Sequence, residues 1–276
     1  MDTYCVMGHP VEHSKSPWIH ARFAELTDQK LRYDKRLIPL DGFGDSLQAF
    51  VNEGARGCNI TVPFKFEAAA VVQHMTPRAT LAQACNTLRF ERDGIHADNT
   101  DGIGLVNDIT RNAGVPLAGR DILLIGAGGA AAGVLGPLME AGARRIVIAN
   151  RTMDKAGALA ARHATLAARR GTDLLACGLQ NTQQAFDVVI NGTASSLSGS
   201  DVPVPASVLK PGALAYDMMY GPAARGFMDW AVAHGAVARD GLGMLVEQAA
   251  ESFVFWRGVR PPSAQVLGEL RATLAP

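Results

Sequence analysis

The sequence predicts an α/β protein of two domains. Apolar runs of strand length alternate with amphipathic stretches of helix length along nearly all of the 276 residues, the pattern of βαβ units around a parallel sheet. One apolar run leads straight into a glycine-rich segment, Gly126 to Ala131, where a helix opens. Glycine is in surplus overall, with 29 residues against a usual share of ~7%, so tight turns and close backbone approaches are expected.

In chain order, Tyr4 to Met7 reads as a short buried strand. A helix is expected from Ser16-Pro17, with Ser16 as N-cap, proline at the first helical position, and Ile19, Phe23 and Leu26 on one face. Leu31 to Leu37 is a second strand, Leu47 to Asn52 a short helix closed by Gly54, and Gly57 to Val62 a third strand. Asn86 to Phe90 and Ile95 to Ala97 form a hairpin around Asp93-Gly94. A helix ends between Gly102 and Gly114, and Pro116 and Gly119 precede a more apolar strand at Asp121, which places a domain boundary near residue 103. Beyond it the order is strand 121–125, helix 129–141, strand 145–149, helix 153–170, then strands 173–176, 187–190 and 213–218. From Gly241 the periodicity is helical, interrupted at Pro261-Pro262.

Composition excludes several classes. Basic and acidic side chains balance at 26 each, which argues against nucleic acid or an anionic membrane as partner, because both demand a basic excess. A hydrophobic fraction of 48% with 19% charged residues describes an ordered globular chain. Cys5, Cys58, Cys85 and Cys177 are far apart in the sequence without a CxxC pair, so neither a disulfide framework nor a zinc site is expected, and a reduced cytoplasm fits. The first apolar run breaks at Gly8-His9-Pro10, too early for a signal-peptide core. The uncharged run Ile122 to Met139 has membrane-helix length, but its five glycines and Pro137 argue against a single spanning helix. His9 and His13 have i,i+4 spacing with Pro10 between them. These two and His20, His74, His96, His163 and His234 read as structural or surface residues, and no metal is expected.

The apolar strand Asp121 to Ile125 followed by Gly126-Ala127-Gly128-Gly129-Ala130-Ala131 is the G-x-G-x-x-A dinucleotide pattern in its required context. Glycines permit the turn and the approach of backbone to a pyrophosphate, whose charge rests on helix N-terminal amides. The second domain is therefore expected to be Rossmann-like. About twenty residues on, where an NAD enzyme places an acid for the ribose hydroxyl, the chain has Asn150-Arg151-Thr152 with Lys155 following. A guanidinium and an ammonium beside a hydroxyl suit a 2′-phosphate, so NADP is expected over NAD, although Asp154 dilutes the positive field.

Three polar segments in the first domain exceed what folding requires. They are His13-Ser14-Lys15-Ser16-Pro17, Asn59-Ile60-Thr61-Val62-Pro63-Phe64-Lys65 and Asp98-Asn99-Thr100-Asp101-Gly102. Capping explains Ser16 alone, and the third segment is rich in capping residues.

At these segments and the glycine turn the chain resembles the shikimate/quinate dehydrogenase family. The resemblance rests on Gly8-His9-Pro10-Val11, His13 to Pro17, Asn59 to Lys65, Cys85-Asn86-Thr87, Asn99 to Gly102, Gly126 to Ala130, Asn150 to Thr152, Asp217-Met218 with Tyr220, and Gly241 to Leu245 leading to Gln248. These occur in the family's order across nearly the whole chain. Two positions depart from it: Gln83-Ala84-Cys85 stands where a Gly-Ala-Val run is frequent, and Pro77 where an acidic residue often lies. The resemblance implies a substrate-binding catalytic domain of residues 1–103, rejoined by helices of 241–276, and an NADP-binding domain of 104–240. It implies reduction of 3-dehydroshikimate to shikimate, with Lys65 and Asp101 as catalytic pair. Ser14 and Ser16 would hold the substrate carboxylate, and Thr61, Asn86, Gln248 and Tyr220 the rest of the substrate. Gly126, Ala127, Gly128, Gly129, Ala130, Asn150, Arg151, Thr152, Lys155, Met218 and Gly241 would line the cofactor. A monomer or homodimer is expected.

The chemistry of the residues agrees independently of the family. Ketone reduction develops alkoxide charge on one oxygen, and a proton donor in reach lowers that barrier. Lys65 supplies both charge and proton, and Asp101 beside it favours the ammonium form. In the oxidative direction the same lysine serves as base. Spacing alone is equally consistent with a surface Lys65–Asp101 ion pair. Two other readings are an enzyme of the same family that prefers NAD or accepts quinate, where Arg151 and Lys155 weigh against NAD and the Ser14 and Ser16 pair leaves quinate open, and a dinucleotide sensor that has lost turnover, against which Lys65, Asp101 and Gln248 together argue.

Overall fold

The computed structural model describes residues 1–193 and 202–274. The chain divides into two compact units, Met1–Gly104 with Leu245–Pro276, and Leu105–Met244.

Unit 1 is a six-stranded mixed sheet built from β1 (Asp2–Gly8), β2 (Leu31–Leu37), β3 (Gly57–Ile60), β4 (His74–Met75), β5 (Thr87–Glu91) and β6 (Gly94–Asp98), in the order β2-β1-β3-β5-β6-β4. β1 runs parallel to both β2 and β3, while β5 is antiparallel to β3 and β6. Its helices are α1 (Ser16–Leu26), α2 (Phe43–Asn52), α3 (Lys65–Val71), α4 (Pro77–Ala82) and α5 (Asp101–Asn107), joined from the C-terminus by α9 (Leu242–Arg257) and α10 (Ser263–Leu274), of which α5 and α9 run on into unit 2. Cys5, Met7, Phe43, Phe50, Cys58, Ile60, Phe64 and Leu88 form the centre of its core. Cys5 and Cys58, distant in sequence, are register partners on β1 and β3. Both are buried and free, and burial pushes the Cys58 thiol well above its ordinary value. The segment after β6 continues from α5 into one π-helical turn, Asp108–Asn112.

The start of α1 differs from the sequence expectation. Lys15 occupies the N-cap with helical backbone and no side-chain cap, Ser16 is already the first helical residue, and Ser14 Oγ accepts the Ser16 N–H at 3.3 Å. Pro77, the position where the family often carries an acid, opens α4 behind the Thr76 cap, a place that needs no proline N–H.

Unit 2 contains β7 (Asp121–Ile125), β8 (Arg145–Asn150), β9 (Asp173–Gly178), β10 (Phe186–Asn191), β11 (Leu209–Asp217) and β12 (Val237–Arg239), with α6 (Gly129–Glu140), α7 (Met153–Arg170) and α8 (Arg225–Ala233). All its strand pairs are parallel, in the order β12-β11-β10-β7-β8-β9. Read from the β9 side this is the doubly wound order 3-2-1-4-5-6, with its switch point between β7 and β10. The five residues of β7 are buried on both faces, as a central parallel strand requires. The uncharged run that began in β7 is thus split between a strand and α6. Among the described residues no helix is long and apolar enough to cross a membrane.

A charged knot closes this unit. Asp108, fully buried, accepts from Arg239 at 2.6 and 2.9 Å, from Tyr216 OH at 2.8 Å and from Asn112 at 3.0 Å. Burial by itself would raise its carboxyl, but hydrogen bonds from Arg239, Asn112 and Tyr216 outweigh that and hold it below the ordinary carboxylate value. A Cβ at Gly243 would lie 1.9 Å from Asp108 Oδ1, so the backbone at Gly243 packs directly on this tethered carboxylate.

Candidate active site

The sheet register of unit 1 explains how its polar segments converge. β1 and β3 are parallel and end side by side, so the loop after β1, carrying Ser14 and Ser16, and the turn after β3, carrying Thr61 and Lys65, leave from one edge. β5 starts opposite the end of β3, with Asn59 facing Thr87, and β6 ends opposite the start of β5, with Asp98 facing Thr87. Asn86 and Asn99 to Asp101 therefore occupy that same edge.

There Lys65, the first residue of α3, donates to Asp101 Oδ2, and Asn86 Nδ2 donates to Asp101 Oδ1 at 2.9 Å. Each carboxylate oxygen thus has its own partner. Asn86 Nδ2 also faces Thr100 Oγ1 at 2.9 Å and Gln248 Oε1 at 3.2 Å, while its Oδ1 accepts the Thr100 N–H at 2.8 Å. Gln248, from α9, is fixed in turn by donating to Leu245 O at 2.9 Å. Only 14% of the Lys65 side chain and 6% of Asp101 are exposed, so the ion pair sits in a medium where charge acts far more strongly than in water.

Beneath this cluster lies a layer that the sequence motifs do not reveal as a unit. Asn59 Nδ2 faces Asn86 O, Thr87 Oγ1 and Ser252 Oγ, each at 3.0 Å, and Asn59 Oδ1 accepts from Tyr33 OH at 2.7 Å. Ser252 and Thr87 hydroxyls are 2.7 Å apart. The available signal was Ser252 standing one helical turn beyond Gln248. His20 stacks on Tyr33 with ring centroids 4.3 Å apart. It is fully buried and both of its nitrogens lack partners in hydrogen-bond geometry, so burial pushes it down to about 3.

Thr61 donates its backbone N–H to Met7 O at 2.9 Å, on the same edge as Lys65. Ser16 is buried and Ser14 half-buried. The structure brings Lys65, Asp101, Asn86 and Gln248 into one bonded cluster, and sets Ser14, Ser16 and Thr61 along its edge without a direct side-chain bond to it among the described residues.

In unit 2, β7 ends into the glycine turn. Gly126 has φ +110°, and a Cβ there would lie 3.1 to 3.2 Å from Thr193 and Gly192, so only glycine makes this turn without strain. Gly128 is the extended N-cap of α6, with open space over it, and Gly129 and Ala130 form the first turn, whose amides are free of intrahelical partners. Ala127 links the two glycines. Met218 bonds through its N–H to Asn191 O at 3.0 Å, and its sulfur lies 3.2 Å from where a Gly192 Cβ would sit, next to the end of β7. Gly241 is pressed on the Met218 backbone, with 2.4 Å between its hypothetical Cβ and Met218 O. At the end of β8, Asn150 Nδ2 donates to Thr152 O at 2.9 Å, shaping the turn into α7. Arg151, Thr152 and Lys155 are all exposed there, and among the described residues neither cation is paired with a carboxylate. Tyr220 precedes the short turn Gly221–Ala224 in this unit. The cradle at Gly126, the free amides and the unpaired cations fit a dinucleotide bearing a 2′-phosphate.

A doubly wound unit with this glycine turn, together with a largely buried lysine–aspartate pair, has the make-up of a nicotinamide-dependent oxidoreductase. Residues 6–88 match the model of the shikimate dehydrogenase substrate binding domain, residues 108–198 that of shikimate/quinate 5-dehydrogenase, and residues 241–271 that of the shikimate 5′-dehydrogenase C-terminal domain. A relative from Acidovorax ebreus (strain TPSY), named shikimate dehydrogenase (NADP(+)), is 68% identical, with 99% of this chain and 97% of that protein covered. The crystal structure of an Ael1 enzyme from Pseudomonas putida is 44% identical with a TM-score of 0.86, covering 98% of each chain. That of shikimate 5-dehydrogenase from Thermus thermophilus, in complex with NADP(H) and shikimate, is 29% identical with a TM-score of 0.82, covering 99% of this chain and 100% of that one. The chain belongs to the shikimate dehydrogenase family.

Proposed function

We propose that the chain catalyses the reversible NADPH-dependent reduction of 3-dehydroshikimate to shikimate, with Lys65 and Asp101 as the catalytic pair. The observation that carries this reading is the largely buried cluster in which Asp101 holds Lys65 on one oxygen and Asn86 on the other. NADPH, when bound, supplies the hydride. Lys65 faces the carbonyl oxygen with its charge and gives it a proton as the hydroxyl forms; in the reverse direction it takes that proton back. Asp101 orients the ammonium, and Asn86, Gln248 and Thr61 present polar groups to ring hydroxyls. Ser14 and Ser16 hold the carboxylate. In unit 2, Gly126 to Ala130 would carry the pyrophosphate on backbone amides, Asn150, Arg151, Thr152 and Lys155 the 2′-phosphate, and Met218 and Gly241 the nicotinamide side. A reduced, cytoplasmic setting, with which four free cysteines agree, and a monomer or homodimer complete the proposal.

The direct test crosses shikimate and quinate with NADP and NAD, following nicotinamide absorbance. Turnover is expected with shikimate and NADP; its absence overturns the reading, and equal rates with quinate or NAD redefine the range. Arg151→Ala is expected to weaken NADPH binding by about 10- to 100-fold, the value of a charge-assisted pair, while NADH is nearly unaffected. Equal losses for both would show that Arg151 does not read the 2′-phosphate. Replacing Ser14 and Ser16 together by alanine is expected to raise the KM for shikimate about tenfold or more at little cost in stability. An unchanged KM would confine both hydroxyls to shaping the start of α1.

A further inference from the structure

We propose that His74, Asp93 and His96 form a binding site for a divalent ion of the zinc or copper type. Sequence spacing gives no such expectation, since 19 and 3 residues separate neighbouring ligands and none lies on a helix. The fold brings them together. Parallel pairing of β4 with β6 sets His74 in register with His96, and their rings lie 4.4 Å apart. The hairpin between β5 and β6 swings Asp93 back over both: Asp93 Oδ1 is 3.0 Å from His96 Nε2, and Asp93 Oδ2 is 3.7 Å from His74 Nε2. One ligand atom from each residue falls within 4.8 Å of the others.

These spacings suit a metal. Ligands about 2.1 Å from a tetrahedral zinc ion are about 3.4 Å apart, and the two imidazole–carboxylate distances bracket that value. Two imidazoles and one carboxylate form a donor set that binds zinc and copper well and magnesium or calcium poorly. Half-exposed His74 and exposed Asp93 leave the remaining coordination positions to water. A bound ion would add a clip between the two-residue edge strand β4 and the hairpin turn, beside the short ladder, the Ile95 N–H bond to Gln73 Oε1 at 2.8 Å and the His74 Nε2 to Asp93 O contact of 3.4 Å.

The test is zinc titration of the tag-free, chelator-stripped full chain by calorimetry, alongside His74→Gln and His96→Gln. Binding of one ion is expected, weakened at least ~10-fold in each variant, since even groups that merely support a ligand are worth that much. Zinc should raise the melting temperature of the parent chain and not of the variants. Because the side chains lie at the surface, metal-free circular dichroism and NADP-linked turnover should be the same in all three proteins, which separates loss of a ligand from loss of fold. No zinc binding by the parent chain overturns the proposal. So does binding that survives in either variant, which would place the ion elsewhere or deny the three-residue site.

Discussion

Replacing Lys65 by alanine is expected to lower kcat for shikimate oxidation by about three orders of magnitude, the range measured when a proton donor or a preorganised charge is removed. NADPH affinity should stay close to that of the parent chain, because the glycine turn and Asn150 to Thr152 belong to unit 2 and Lys65 to unit 1. Truncation leaves Asp101 buried with one oxygen still held by Asn86 and the other bare. That unpaired charge is itself unfavourable, so the double variant Lys65→Ala with Asp101→Asn should be little slower than the single one, and more stable. Turnover near the parent value in Lys65→Ala would remove the lysine from the mechanism. A fall in kcat matched by an equal fall in NADPH affinity would indicate general damage instead.

Lowering the pH is expected to destabilise unit 1, with His20 as one identifiable cause beside its paired carboxylates. In the unfolded chain this imidazole takes a proton near 6.5, whereas burial between Tyr33, Phe23, Phe253 and Trp256 pushes it down to about 3 in the fold. The sign follows from linkage: above the unfolded value both states are neutral and stability is complete. Below it only the unfolded state binds the proton, so stability falls by up to about 1.4 kcal/mol per pH unit, reaching about 5 kcal/mol as the pH approaches the folded value. That is comparable to the whole stability of many domains. Urea midpoints read on tryptophan fluorescence, where Trp256 reports from beside His20, should fall between pH 7 and pH 4 in the parent chain and fall less steeply in His20→Phe. Parallel curves would acquit His20 and assign the acid sensitivity to carboxylates common to both proteins.

Unit 2 was nearly readable in the sequence because its central strands β7, β8 and β10 are buried on both faces and its longest helix carries a clear stop. The run Asp121 to Ile125 is uniformly apolar after its first residue, and the expected helix over 153–170 ends where Gly171 turns left-handed at φ +67°. Helix α8 escaped notice, a nine-residue segment that buries only Phe227 and Ala231. In unit 1 the third strand stops at Ile60, two residues early, since Thr61 to Phe64 already turn towards α3. Helix α3 itself lacks a capping side chain and buries only Ala68, which leaves no periodic signal to find. The site was legible where local motifs carried it, at Lys65 and at Asp101. The layer beneath was illegible because it is built by distant pairing: the Tyr33–Asn59 and Asn59–Ser252 bonds span 26 and 193 residues, and no local pattern announces such contacts. His74, Asp93 and His96 were hidden for the same reason.

The glycines at 241 and 243 have a consequence for how this chain can diverge. One side of the segment is closed by the Met218 backbone and the other by a carboxylate that Arg239 and Tyr216 do not release. Even a single methyl has nowhere to go at either position, so ordinary sequence drift is barred from the stretch that leads from β12 into α9. A substitution at either glycine would have to displace the entry to the helix bearing Gln248. A saturation library at residues 241 and 243 would show it as two columns nearly empty of anything but glycine.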